Sequence, residues 1–154
     1  MSSTRKIVSL LLVVLIILQL IQPARNESGQ VESKEFASIY EVPGNIEIIL
    51  KNACYDCHSN NTDYPWYANI QPTGWIMANH ISKGKEQLNF SVFGSYSKRR
   101  QINKFKGIAN QVKEGAMPVA SYKLMHQKAR LSKEEKLLIE NWMNKMADSF
   151  TAIN

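Results

Sequence analysis

Only two cysteines occur in this 154-residue chain, and they stand three positions apart. That spacing argues against a disulfide framework, because a bridge between Cys54 and Cys57 would close little chain and constrain the unfolded state only weakly. Histidine is nearly as scarce, with His58, His80 and His126. A structural zinc site takes about four ligands, and with no second paired cluster the chain is a poor match to one. No segment alternates polar and apolar residues for long enough to predict a strand. No strand-helix-strand order surrounds residues 40–75, so the setting of a thioredoxin-like redox pair is missing as well. Internal repeats are absent, and no cysteine follows the N-terminal apolar run as a lipoprotein would require.

What is present is concentrated in one pentapeptide. Cys54-Tyr55-Asp56-Cys57-His58 has the Cys-x-x-Cys-His spacing of a c-type haem attachment site. At such a site both sulfurs bond to the porphyrin and the adjacent histidine supplies the proximal nitrogen to iron. A disulfide, a redox pair or a zinc site does not require a histidine at that place. The motif predicts one haem c per chain, anchored through Cys54 and Cys57 with His58 as the proximal iron ligand.

The N-terminus supplies a compartment. Arg5 and Lys6 precede an apolar run from Ile7 to Ile21 broken only by Ser9 and Gln19, the order of an export signal. The run is nearer a signal core than the ~20 residues of a full span, yet no small-x-small cleavage site follows, because Gln22 stands three positions before a cut after Ala24. Residues 1–21 are therefore expected to be an N-terminal hydrophobic helix, either signal or uncleaved anchor, with Arg5 and Lys6 kept inside. This predicts an inner-membrane anchor with the domain on the periplasmic side. Residues 22–41 are polar and read as a linker, whose roughly 20 flexible residues would span on the order of 25 Å. Residues 42–154 remain for a single domain with one modest core.

Within that domain the periodicity is helical, and the expected fold class is all-α. Ile46, Ile49, Leu50 and Ala53 form a stripe that runs into Cys54. A turn-rich loop over 59–72 follows, and Thr73 can cap a helix carrying Trp75, Ile76, His80 and Ile81. Ser97 can open the next helix, with Ile102, Phe105, Ala109 and Val112 inward, and Glu114-Gly115 closes it. Ser132-Lys133-Glu134-Glu135 is a capping box before a helix expected to bury Leu138, Ile139, Trp142 and Met146.

The order of helix, Cys-x-x-Cys-His, loop, two helices, Gly115-Ala116-Met117-Pro118 and final helix resembles class I cytochrome c. The resemblance implies a cytochrome c-like domain around the haem, first and last helices packed across each other, and Met117 as sixth iron ligand. His80 is the alternative sixth ligand. A closer resemblance covers residues 54–122. Cys54 through Thr62, Pro65-Trp66-Tyr67, His80 with Gly84, Leu88-Asn89-Phe90-Ser91, Met117-Pro118 and Ser121-Tyr122 look like the small bacterial haem-binding domain family. That family commonly has arginine where this chain has Lys85 and tryptophan where it has Phe93; lysine cannot reproduce a bidentate guanidinium contact to a propionate. Trp66, Tyr67 and Trp75 are candidates to pack on the porphyrin. Pro72 is a candidate to offer a carbonyl to His58 Nδ1–H, and His126 is expected at the surface or behind the ligands.

Charge divides along the chain. Residues 1–82 carry five basic and seven acidic side chains, while residues 83–154 carry 14 and six. Lys98, Arg99, Arg100, Lys104 and Lys106 cluster at one helix start, where the macrodipole disfavours cations. The cluster is either a solvated face or a docking surface for an acidic redox partner or anionic lipid; nucleic acid is not expected as a partner. Together these features predict a membrane-tethered monohaem cytochrome that transfers single electrons in the cell envelope and is not an enzyme. The alternative is a haem sensor or peroxidase-like enzyme with a displaceable distal ligand.

Overall fold

The computed structural model describes residues 2–29 and 35–151. Its helices are α1 (Ser3–Gln19), α2 (Phe36–Ile39), α3 (Gly44–Ala53), α4 (Tyr55–His58), α5 (Thr73–Gln87), α6 (Lys98–Lys113), α7 (Ala120–Met125) and α8 (Lys133–Thr151), with 3₁₀ turns at Trp66–Asn69, Phe90–Ser95 and Gln127–Ala129. The described residues contain no strand, and a single antiparallel bridge joins Glu27 to Asn61. The chain is all-α, as the lack of alternation predicted.

Several helix ends follow directly from local chemistry. Ser97 Oγ accepts the Arg100 amide at the start of α6. That helix stops at Gly115, whose φ of 72° suits the only residue without a Cβ. At α8 the capping box closes in both directions: Glu135 N–H donates to Ser132 Oγ at 3.1 Å, and Ser132 N–H donates to Glu135 Oε2 at 2.7 Å. Thr73 does not cap α5. It is the first residue of that helix, and the buried Gln71 side chain takes the Trp75 amide instead.

The core is aromatic. Phe36 has no exposed surface, and its ring lies 4.9 Å from Phe93, 5.1 Å from Phe90, 5.9 Å from Phe105 and 5.8 Å from Trp142 between centroids. Burying one such side chain contributes about 1.5–3 kcal/mol, and each well-placed ring pair adds about 0.5–1.5 kcal/mol. Phe36 belongs to the segment expected as linker, so the folded unit starts earlier than residue 42. The stripe on α3 is buried as predicted. On α8 the innermost residues are Ile139, Met143 and Ala147, whereas Leu138 is 42 % exposed. Steps of four residues keep 139, 143 and 147 on one face, and Leu138 falls about 100° to the side. α8 packs mainly along α6 and touches α3 more lightly.

α1 stands away from this core. Every residue from Ser2 to Ile17 is exposed, and Leu18 and Gln19 are half-buried. The helix ends at Gln19, before the apolar run does, and among the described residues no helix is long and apolar enough to cross a membrane. The expected spanning helix is thus a 17-residue one that falls short.

The beginning of the expected linker is also not loose. Gln71 N–H donates to Gln19 Oε1 at 2.8 Å, and Gln22 Nε2 reaches the Asn69 carbonyl at 3.2 Å. Trp75 Nε1–H donates to the Ile21 carbonyl at 3.0 Å. Further along, Asn26 binds Ser59 and Thr62 through its side chain and Tyr64 through its backbone. Residues 19–29 therefore form a strap along the loop that follows the cysteine motif. Side-chain amides of Gln and Asn, which look like solubilising groups in a sequence, here satisfy backbone groups of that loop.

Candidate functional site

α3 delivers the motif, and a single tight turn sets its geometry. Cys54 N–H closes on the Leu50 carbonyl at 2.9 Å; the amides of Cys57 and His58 both turn back to the Cys54 carbonyl, at 3.2 and 3.0 Å. Tyr55 goes inward, its ring 5.1 Å from that of Phe90. The turn rests on α5 at Gly84, where a Cβ would stand 2.5 Å from the Cys57 carbonyl oxygen. No other residue allows the two backbones to come so close.

This approach seats His58. Its Nδ1 lies 2.9 Å from the Gly84 carbonyl and 3.0 Å from the Leu88 carbonyl. Carbonyl oxygens only accept, so Nδ1 carries the proton and the lone pair is on Nε2. Gly84 lies in the last turn of α5, and its carbonyl accepts both the Leu88 amide, at 2.9 Å, and the imidazole. Burial lowers the His58 pKa, against an upward pull from the two carbonyls. The ring is thus neutral, in the tautomer that a metal-ligating Nε2 needs. Pro72, the expected acceptor, serves helix α5 instead, taking the Ile76 amide.

Two adjoining cavities open at this histidine. One of about 390 Å³ is bounded by Cys54, His58, Leu88, Phe90 and Met117 together with Asn103, Lys104, Gly107, Ile108 and Gln111 of α6. The other, about 240 Å³, is bounded by Cys57, His58, His80, Lys83, Gly84, Met117, Pro118 and Tyr122. Ala53, His58, Gln87 and Met117 border both, so the pair forms one divided cleft with a thiol on either part. Gly107 leaves the α6 wall open, since a Cβ there would meet nothing within 4 Å. A flat apolar body with a polar edge fits this lining: hydrocarbon walls inside, Lys104, Asn103 and Gln111 on one side.

The thiols are free. Burial, followed by the neighbouring Cys57, pushes Cys54 up to about 12; burial, followed by Asp56, pushes Cys57 up to about 11. Redox and zinc-binding cysteines need a stabilised thiolate, and this setting does the reverse. Among the described residues no group of three or more His, Cys, Asp or Glu side chains could hold a metal ion.

The other motif residues brace the turn. Asn89 Oδ1 accepts the Ser91 amide, Asn89 Nδ2–H donates to Asn60 Oδ1 at 2.8 Å, and Ser91 Oγ accepts the Asn60 amide at 3.0 Å. Tyr122 O–H donates to Asp56 Oδ2 at 2.5 Å. Burial, strengthened by that carboxylate, raises the Tyr122 pKa. His126 lies behind Tyr122, with ring centroids 4.0 Å apart, and its Nε2 is 3.1 Å from Tyr67 Oη.

Of the residues singled out in the sequence, Cys54, Cys57, His58 and Met117 come together at the cleft. His80 borders the smaller cavity from an exposed position on α5. Trp66, Tyr67 and Trp75 are not in either cavity wall. Lys85 points to the strap, its Nζ 2.5 Å from Asn26 Oδ1, and makes no part of the cleft. Lys104 was hidden in the basic cluster. Its spacing with Gly107, Ile108 and Gln111 is the signal that could have separated it, since those positions share one helix face.

Comparison with known proteins agrees with this site. No match was found among curated proteins or among solved structures. The sequence model of the family described as Haem-binding domain matches residues 13–145. That stretch begins inside α1, ends inside α8 and takes in the whole cleft, so the chain belongs to the haem-binding domain family.

Proposed function

We propose that this haem-binding protein is a membrane-tethered monohaem c-type cytochrome that carries single electrons in the cell envelope. The observation that carries the reading is the seat of His58: a neutral imidazole fixed through Nδ1 by two backbone carbonyls, with Nε2 left for iron, beside two cysteines that border the same cleft. Haem held there supplies a one-electron couple, while the chain supplies burial, axial ligands and a docking face. The residues assigned to it are Cys54 and Cys57 as anchors, His58 as proximal ligand and Met117 as sixth ligand.

The preference for Met117 over His80 rests on which side of His58 each comes from. The Gly84 and Leu88 carbonyls hold the Nδ1 edge, so an iron held by Nε2 would stand on the opposite edge of the ring, away from the end of α5. His80 belongs to that same helix, one turn before Gly84. Met117 comes from the separate loop after α6, fixed by its amide to the Gln111 carbonyl at 3.1 Å. Methionine with histidine raises the potential relative to bis-histidine. The exposed Lys98, Arg99, Arg100 and Lys106 are offered as the docking face. α1, about 26 Å long at 1.5 Å per residue, is offered as a short anchor that relies on bilayer thinning and on snorkelling of Arg5 and Lys6.

The test is the protein exported together with haem-attachment machinery. Haem should survive denaturing electrophoresis, and the oxidised protein should show the weak red charge-transfer band of methionine ligation. Met117→Ala should abolish the band, keep the covalent haem and admit carbon monoxide to the reduced iron; His80→Ala should do none of these. Loss of the band in the His80 variant alone would reverse the ligand assignment. Rapid carbon monoxide binding by the unaltered protein would favour a sensor or enzyme.

A further inference from the structure

We infer that the exposed corner formed by Trp66, Ile70 and Ile76 is a lipid-facing seat, resting in the headgroup layer of the membrane that α1 enters. This deepens the reading of α1 as an anchor and rests on it. Trp66 is 73 % exposed, Ile76 54 % and Ile70 47 %. All three belong to the tight turn that leads from Trp66–Asn69 into the first turn of α5, where the Ile70 amide returns to the Tyr67 carbonyl and the Gly74 amide to the Ile70 carbonyl, each at 3.1 Å, and large exposed apolar side chains on one such turn mark a contact surface.

The position of the corner identifies its occupant. The end of α1 is bonded to the very segment that carries these residues: Gln19 to Gln71 in both directions, Gln22 to Asn69 and Gln71, and Ile21 to Trp75. Ile70 and Ile76 are immediate chain neighbours of the bonded residues. A bilayer that holds α1 as far as Gln19 therefore ends its hydrocarbon beside residues 69–76, inside a headgroup layer about 5–7 Å deep on each side. Tryptophan favours that layer, with an apolar ring and a polar edge. Arg25, bonded to Asn69 and stacked 4.3 Å over the Tyr64 ring, brings a cation to the same edge, where lipid phosphates lie.

The consequence concerns where the haem site stands. On a free 20-residue linker the domain would range over tens of Å; with residues 19–29 strapped down it has one orientation. α5 starts at the seated corner and holds His58 near its other end. From Thr73 to Gly84 it rises about 17 Å at 1.5 Å per residue, which bounds the distance between the bilayer edge and the proximal ligand's seat along that helix.

The experiment uses the full haem-loaded chain in zwitterionic phosphatidylcholine nanodiscs, with a photoactivatable diazirine in the lipid headgroup of one set and in the acyl chain of another. The acyl-chain probe should label residues 3–21, and the headgroup probe should label residues 64–77 several-fold above 98–106. Ile70→Asp with Ile76→Asp should bring 64–77 down to the level of 98–106 while leaving haem per chain and labelling of 3–21 unchanged. Labelling of 3–21 with 64–77 at the level of 98–106 in the unaltered chain would overturn the seat and leave the anchor standing. Absence of labelling on 3–21 would overturn the anchor and the seat together. Neither outcome touches haem binding, which absorbance reads separately.

Discussion

Gly84 and Gly107 both lie inside helices that border the cleft, and they are there for opposite reasons. A Cβ at position 84 would come within 2.5 Å of the Cys57 carbonyl oxygen, whereas one at position 107 would meet nothing within 4 Å. Glycine inside a helix costs up to about 1 kcal/mol relative to alanine. At Gly84 the cost is offset by protein: two backbones meet, and the end of α5 can then hold His58. At Gly107 no protein contact offsets it. The α5 wall is closed by packing, and the α6 wall is left for something that is not protein.

The largest expected effect breaks the closed wall. Gly84→Ala forces α5 away from the cysteine turn, at a cost of about 1–3 kcal/mol for overpacking, read as a lower denaturant midpoint. Because the same shift draws the Gly84 and Leu88 carbonyls from His58, haem per chain should drop as well. Unchanged stability together with unchanged haem content would show that the close approach is not what the residue serves.

A smaller effect on the same wall is its response to pH in the haem-free chain. An ordinary histidine takes up its proton near pH 6.5, whereas burial delays His58 to lower pH. Between those two values the unfolded chain holds a proton that the folded chain lacks, so stability falls as pH falls. The contribution is complete above about pH 6.5 and is lost on descending through the lowered value. Thermal midpoints measured from pH 8 down to pH 5 should decline below about 6.5, and His58→Gln should flatten that decline.

This contrast also marks what could be read in the sequence. Helix positions, the capping box at Ser132 and the pentapeptide are local, set by spacing and cap chemistry within a few residues, and they were legible. Phe36 was not: a four-residue helix carries no periodic signal, and its ring enters the core through partners on α6, α8 and the Phe90–Ser95 turn. The strap failed for a related reason, since Gln19, Gln22 and Asn26 bind residues 33 to 52 positions away. Met117 was singled out from its loop context, and the structure sets it on the border of both cavities. Lys104 was misgrouped because five cations close in sequence look like one patch, although a helix turns them to different faces.

The smallest expected effect sharpens the open wall. In the haem-free chain Gly107→Ala should stabilise by about 0.5–1 kcal/mol through helix propensity, or roughly 1–4 °C for a chain of this size, because the new methyl meets no neighbour. In the haem-loaded protein that gain should shrink or reverse, since the methyl points into the space the ligand takes. Gly107→Leu exaggerates the conflict, with haem per chain falling while the haem-free fold survives. The two thermal midpoints, measured side by side with haem absorbance, decide the matter. If the alanine substitution stabilises both forms equally, then Gly107 does not face the bound haem, and the larger cavity is not where haem lies.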